Sequence, residues 1–302
     1  MLIGIIGYTG FIGTNLVKSL STNYSIIPLS LRSKDWKGAA HEAEILINLV
    51  GKAHDHKGTA SDSDYYYANV DLTKEIFREF LLSNAKLLIH VSSLAALEEF
   101  ESDKFLEEKD SCNPQSWYGQ SKRAAEEWLL SQEIPVGKRL IIVRPPMVHG
   151  PGDKGNLGLL YNLISKGIPY PLASFDNRRS FISIDNFGFF IKQIIERYEV
   201  VENGIYHIAD DEPISTKEII NIIKSETRKT VPNIALPRLW VRALAKIGDI
   251  LPIPLNTKRL KKMTSDLLVS NAKIKKALGI NNLPLTAKEG LTNTIKSFNQ
   301  QT

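Results

Sequence analysis

Tyr118 and Lys122 stand four residues apart in Ser116-Trp117-Tyr118-Gly119-Gln120-Ser121-Lys122, within a stretch whose pattern predicts a helix over 116–131. That spacing puts the phenol and the ammonium on one helix face. A free tyrosine, with a pKa of about 10, exchanges protons poorly at neutral pH. A neighbouring ammonium stabilises the phenolate and lowers that value, so the pair suits acid–base work. Ser92-Ser93 offers a hydroxyl partner, directly after the apolar run 86–91 and therefore at the carboxyl end of a strand.

These groups need a frame, and the amino-terminal half has the pattern of one. Residues 2–6 are wholly apolar, as in a strand buried on both faces. A helix is expected over 11–20, strands over 25–31 and 44–50, and a helix over 65–82. The strand 86–91, the helix 116–131 and a strand over 140–143 complete the series before Pro145-Pro146. Strand alternating with helix predicts an α/β fold, a Rossmann-like doubly wound parallel sheet. Only residues 32–43 separate the second and third strands, too few for a full crossover helix and another strand.

Beyond residue 150 the pattern loosens into a smaller mixed α/β lobe. Helices are expected over 156–166, 185–197, 215–226, 238–247 and 285–298, with short strands near 181–184 and 205–208. The expected division is a dinucleotide-binding domain over 1–150 and a substrate lobe over 151–302, with a segment near 177–210 returning to the first.

Gly7-Tyr8-Thr9-Gly10-Phe11-Ile12-Gly13 joins the first strand to the first helix. Glycines there allow a tight bend, close approach of a pyrophosphate and helix-on-strand packing. The helix amino terminus then presents unpaired N–H groups to phosphate.

Composition excludes several classes. The 302 residues carry 38 Lys+Arg and 33 Asp+Glu, a net charge of +5 that is spread along the chain, so nucleic acid is not the expected partner. A lone cysteine, Cys112, excludes an intramolecular disulfide framework and a multi-thiolate metal site. No apolar run approaches the roughly 20 residues of a membrane span, and the start lacks a basic leader region, so a cytoplasmic protein is expected. His54-Asp55-His56, with Asp62 and Asp64 nearby, reads as a loop bordering a pocket, and no metal is expected.

The G-x-x-G-x-x-G turn, the strand-end serines and the Tyr/Lys pair, in that order, resemble the extended short-chain dehydrogenase/reductase family, the NAD-dependent epimerases and dehydratases. The resemblance implies that Ser93 hydrogen-bonds the reacting oxygen, Tyr118 exchanges its proton, and Lys122 also holds the nicotinamide ribose. It further implies cofactor contacts at Gly7, Thr9, Gly10, Phe11, Ile12 and Gly13, at Leu49-Val50-Gly51, at Asn69 and at Pro145. Asn69-Val70-Asp71-Leu72-Thr73 resembles the family's N-V-x-G-T segment, with Leu72 replacing the usual glycine. Arg179-Ser180-Phe181-Ile182-Ser183-Ile184-Asp185 resembles the R-x-F-I-x-V-x-D segment of nucleotide-sugar enzymes, where the arginine binds the substrate diphosphate. Asn156, in the loop 152–156, is expected to help Arg179 hold it.

Departures from the family narrow the chemistry. Leu94-Ala95-Ala96 follows Ser93 where 4,6-dehydratases have an acidic pair, so dehydration is excluded. Glu98 and Glu99 are expected to open a solvated acidic loop. Cys112 is misplaced for a Cys/His epimerising pair, and His149 is expected to pack. Met147 stands where many relatives have a substrate-touching asparagine. At the end of the second strand, Ser30-Leu31-Arg32-Ser33-Lys34 lacks the acid that accepts from the NAD ribose, unless Asp35 serves. Arg32 and Lys34 suit a 2′-phosphate, so NADP is expected over NAD.

Leu49-Val50-Gly51-Lys52-Ala53-His54, the run 144–152 and Asn177-Arg178-Arg179-Ser180 are similar to bacterial UDP-4-keto-6-deoxy-N-acetylhexosamine 4-reductases and nucleotide-sugar 4-epimerases. The resemblance implies NADPH-dependent reduction of a C4 ketone in surface-polysaccharide precursor synthesis, of UDP-N-acetylquinovosamine or fucosamine type. Two alternatives are a UDP-hexose 4-epimerase with bound NAD and a non-catalytic NADP-binding sensor or scaffold. A homodimer pairing the helices 65–82 and 118–131 is also implied. The stretch 235–270 is expected either to cover the substrate pocket or to face an apolar partner or a membrane.

Overall fold

Strand β1 (Leu2–Ile6) presents Ile3 and Ile5 to one face and Ile6 to the other, and all three are fully buried. The computed structural model describes residues 1–300 apart from 54–58, 154, 171, 173, 233–235 and 252–255. After β1 come α1 (Phe11–Leu20), β2 (Ser25–Leu29), a short α2 (Trp36–Glu42) and β3 (Ile45–Asn48). The crossover is indeed trimmed, with seven residues of helix between β2 and β3. Then follow α3 (Asp62–Tyr66), a π-helical turn at Tyr67–Asp71, α4 (Leu72–Leu82) and β4 (Leu87–Val91). A 3₁₀ turn at Leu94–Ala96, a short β5 (Phe105–Leu106), α5 (Trp117–Leu130) and β6 (Arg139–Arg144) complete this half.

The second half begins with β7 (Met147–His149), α6 (Asn156–Ser165), β8 (Arg178–Arg179) and β9 (Phe181–Ser183). It continues through α7 (Ile184–Arg197), β10 (Gly204–His207), β11 (Ile214–Ser215) and α8 (Thr216–Thr227). The last elements are α9 (Arg238–Gly248), α10 (Thr257–Thr264), β12 (Leu268–Val269), α11 (Ala272–Leu278) and α12 (Ala287–Asn299).

Six strands form one parallel sheet in the order β10-β6-β4-β3-β1-β2. Its faces are covered alternately. Leu16 and Leu20 of α1, Phe187, Phe190 and Ile194 of α7, and Ile274 of α11 pack on Ile3, Ile5, Ile47 and Ile89. Trp36 of α2, Phe77 and Phe80 of α4, and Leu129 of α5 pack on Ile6, Leu46, Leu88 and Ile142. Wholly apolar strands follow from this double cover. The segment from α7 to β10 lies beyond residue 150 yet supplies a helix and the edge strand of this sheet.

A separate core joins Leu157, Tyr161 and Ile164 of α6, Ile219 and Ile223 of α8, Val241 of α9, Leu260 of α10 and Leu291 of α12. Strand order reverses between β1 and β3, β1 having β2 on its other side. In open parallel sheets the crevice beyond the strand ends at such a reversal is where ligands bind.

Candidate active site

The turn after β1 is fitted to its neighbours atom by atom. Gly7 has φ +86°, in the left-handed region, and a Cβ there would lie 3.0 Å from the Leu49 carbonyl carbon after β3. A Cβ on Gly13 would lie 2.4 Å from the Gly7 oxygen and 2.6 Å from Tyr8 Cα, so α1 approaches the turn only because Gly13 has no side chain. Gly10 differs, since its Cβ would meet nothing closer than 3.5 Å. It stands before α1 with no side-chain cap, and the first turn carries no acidic residue. This surface fits a dinucleotide pyrophosphate at the crevice, with the amides of Phe11, Ile12 and Gly13 as donors. Thr9 is exposed beside them.

On the other wall, Gly51 follows β3 beside Lys122, where a Cβ would come 2.9 Å from the Lys122 Nζ and 2.7 Å from Asn69 Oδ1. Asn69 is fully buried in the π turn. Its oxygen accepts from Lys52 N at 2.9 Å, and its amide donates to Lys52 O at 3.2 Å and to Ser121 Oγ at 2.8 Å. Its position braces the loop after β3 against α5. Pro145, buried after β6, accepts from Leu94 N at 2.8 Å and so fixes the turn that follows Ser93.

Ser93 leaves β4 in extended conformation and accepts from Ala95 N at 3.2 Å. Its hydroxyl lies close enough to the Tyr118 phenol to favour the phenolate. That approach depends on Gly119, whose Cβ would lie 2.4 Å from Glu99 Oε1 and 2.5 Å from the Ala95 oxygen. Glu99 is buried, contrary to the expected solvated loop. Its Oε1 accepts from Gln115 N at 3.1 Å, Ser116 N at 2.8 Å and Ser116 Oγ at 2.8 Å. Ser116 in turn caps α5 by accepting from Gly119 N at 3.0 Å. A carboxylate that satisfies the amides ahead of a helix is worth burying there.

The electrostatics also depart from expectation. Burial raises the Tyr118 pKa above its ordinary value; the Ser93 hydroxyl opposes this, and the nearby Glu99 and Glu126 charges add to it. Lys122 is buried, donates to Val91 O at 2.9 Å, and is pushed down to about 8 by burial, against the pull of Glu126. Burial, and not the ammonium, sets the direction of the shift at the phenol.

Sequence reasoning missed the pair beneath this site. Glu126 and Arg144 are both fully buried. Arg144 Nε donates to Glu126 Oε1 at 2.8 Å and Nη2 to Oε2 at 2.6 Å. Ser92 Oγ donates to Oε1 at 2.5 Å, and Arg144 Nη2 also reaches Cys112 Sγ at 3.7 Å. Glu126 is four residues beyond Lys122, a helical repeat of the same face, and that spacing was the available signal.

Other sequence candidates lie further out. Arg32 is exposed just beyond the end of β2, beside exposed Lys34 and Asp35. Asn156 opens α6 at the surface. Arg179 donates through Nη1 to the Phe100, Lys262 and Ser265 oxygens at 3.0–3.2 Å, and burial lowers its pKa to about 10. These contacts tie β8 to the start of the 100s loop and to α10. His149 is buried, pairs through Nδ1 with Thr294 Oγ1 at 2.9 Å, and is held near a pKa of about 3 by burial. It is a neutral packing residue. His54, Asp55, His56 and Lys154 lie outside the described residues.

The comparisons agree with this architecture. A UDP-glucose 4-epimerase of Vibrio cholerae is 28% identical, covering 97% of this chain and 94% of that one. An Escherichia coli O157:H7 4-epimerase of N-acetyl-α-D-glucosaminyl-diphospho-ditrans,octacis-undecaprenol is 25% identical over 77% of this chain and 74% of its own. Among solved structures, a Bacillus cereus UDP-glucuronic acid 4-epimerase in complex with NAD superposes with a TM-score of 0.79 at 16% identity, covering 100% and 97% of the two chains. The Pseudomonas aeruginosa enzyme RMD, complexed with NADPH, gives 0.75 at 15% identity over 99% of each chain. Residues 3–209 match the NAD dependent epimerase/dehydratase family, and the chain belongs to that family.

Proposed function

We propose that the protein is an NADPH-dependent reductase of the C4 ketone of a UDP-linked 4-keto-6-deoxy-N-acetylhexosamine. The observation that supports this reading is that Ser93 lies by Tyr118 and Lys122 lies by Gly51, close to the glycine turn after β1, with Arg32 exposed where an acid would select NAD. A bound reduced nicotinamide supplies the hydride. Ser93 polarises the ketone oxygen, and Tyr118, kept protonated by its burial, donates its proton as alkoxide character develops. The Lys122 ammonium steadies the phenolate left behind and binds the nicotinamide ribose. Arg179 and Asn156 are assigned to the sugar diphosphate, for which Arg179 exchanges some of its carbonyl contacts. Arg32 takes the 2′-phosphate.

A second reading, a 4-epimerase with bound NAD, is supported by two curated relatives that are 4-epimerases. The protein is assigned to the cytoplasm, where both nucleotides are made; among the described residues no helix is long and apolar enough to cross a membrane. Exposed Tyr66, Tyr67, Trp117 and Leu130 on α3–α5 support a homodimer across these helices.

The test mixes purified protein with NADPH and an enzymatically prepared UDP-4-keto-6-deoxy-N-acetylglucosamine. Stoichiometric loss of reduced-nicotinamide absorbance is expected, and Arg32→Ala should raise the KM for NADPH about tenfold while sparing NADH. No oxidation, with interconversion of a UDP-hexose at C4 instead, would establish the epimerase.

A further inference from the structure

Helix α9 turns only part of its apolar surface inward. Val241 and Ala245 pack into the second core. The opposite side carries Leu239, Trp240, Leu244 and Ile247, with Leu239 79% and Trp240 73% exposed, and the chain runs on into Ile250, 87% exposed. Single exposed leucines are ordinary, but a contiguous ridge of them with a tryptophan marks an interaction surface.

The ridge has a charged border. Arg238, Arg242 and Lys246 recur one turn apart between the buried and exposed faces, and they line a cavity of about 460 Å³ between α9 and α10. Helix α10, packed on α9, adds exposed Lys258 and Lys262. Asp249 is engaged by Thr257 N at 2.9 Å and Oγ1 at 2.5 Å. Of the two acids that line the cavity, Glu101 and Asp176, Glu101 pairs with Lys261 of α10 at 2.7 Å, which leaves the cations of α9 and α10 in excess. The two helices therefore present an apolar ridge with a net cationic rim.

We propose that α9 docks this protein on the surface of a bilayer rich in anionic phospholipid, lying in the plane with the ridge among the acyl chains. A helix with Leu and Trp on one face and Arg and Lys along its border has the composition of an interfacial helix. Trp240 suits the headgroup boundary, and the long stems of Arg242 and Lys246 reach back to lipid phosphates. The docking needs neither substrate nor cofactor, so it stands or falls apart from the reaction assigned above.

The test sediments the intact protein with phosphatidylglycerol/phosphatidylethanolamine vesicles and, separately, with phosphatidylcholine vesicles. Binding to the anionic vesicles that weakens with added salt is expected, with at least about tenfold weaker partition to the neutral ones. Leu239→Ser/Trp240→Ser should lower partition about tenfold, and Arg242→Glu/Lys246→Glu should abolish the preference for anionic lipid. Both pairs are at the surface, and unchanged thermal unfolding identifies folded variants. Recovery of the wild type in the supernatant with both vesicle types would overturn the proposal. So would binding that survives both variants. An oligomer that Leu239→Ser/Trp240→Ser dissolves, without vesicle binding, would overturn it and give the ridge to a second copy of the chain.

Discussion

Glu126→Gln keeps the shape of a side chain that is fully buried and removes its charge. In the native protein its two oxygens take two hydrogen bonds from Arg144, at 2.8 and 2.6 Å, and one from Ser92 at 2.5 Å. Arg144 Nη1 already lacks a hydrogen-bond partner among the described residues, so the carboxylate is the main compensation for a buried guanidinium. Removing one member of such a pair costs about 3–5 kcal/mol, because the other charge is left buried. With a urea dependence of about 3 kcal/mol per molar, the unfolding midpoint should fall by about 1 to 1.7 M. Glu126→Gln/Arg144→Met strands no charge and should recover most of the loss. The variant should also act on catalysis: Glu126 raises the Lys122 pKa from below, and Lys122 already sits at about 8. Without Glu126 the ammonium deprotonates at lower pH, so the alkaline limb of kcat/KM should move down. Urea titration by tryptophan fluorescence reads the stability. A single variant within about 0.3 M of wild type, or a double variant no better than the single, would refute the reasoning.

Three further outcomes are expected. Gly13→Ala forces a Cβ against Gly7 O and should cost about 1–3 kcal/mol in urea unfolding. Gly10→Ala should unfold like wild type yet lose dinucleotide binding by tenfold or more, read by quenching of protein fluorescence with NADPH. Burial raises the Asp210 pKa to about 7, against its hydrogen bonds from Asn186 and Ser183. The native state therefore holds a proton that the unfolded chain releases near pH 4; this stabilisation is complete below that value and lost as pH rises through 7. Asp210→Asn should flatten the fall in urea midpoint between pH 5 and pH 8, and parallel profiles would count against the assignment.

Local signals carried the first half of the molecule. Residues 2–6 and 86–91 read as buried strands because both sheet faces are covered, and the glycine turn and Tyr118–Lys122 spacing are each set by a few adjacent residues. Contacts remote in sequence were not readable. Glu99 looked like part of an acidic loop; the amides of Gln115 and Ser116 that bury it are 16 and 17 residues away. Nothing adjacent in sequence marks Gly119, although the closeness of α5 to the turn after Ser93 depends on it. The periodicity over 65–82 predicts one uninterrupted helix, whereas Tyr67–Asp71 is a π turn that sinks Asn69 inward. The helices α10 and α11 went unread because eight and seven residues are too few for a helical repeat to stand out. The Tyr118 pKa moves opposite to expectation, since depth in the fold, invisible in a four-residue spacing, raises it and the Glu99 and Glu126 charges add to that.

The most direct measurement compares wild type and Tyr118→Phe in a single turnover of the UDP-4-keto sugar with NADPH bound at saturation. The variant should bind NADPH as wild type does and oxidise it about 10²- to 10⁴-fold more slowly, the loss of one positioned proton donor. Oxidation at the wild-type rate would contradict the placement of the reaction at Ser93, Tyr118 and Lys122.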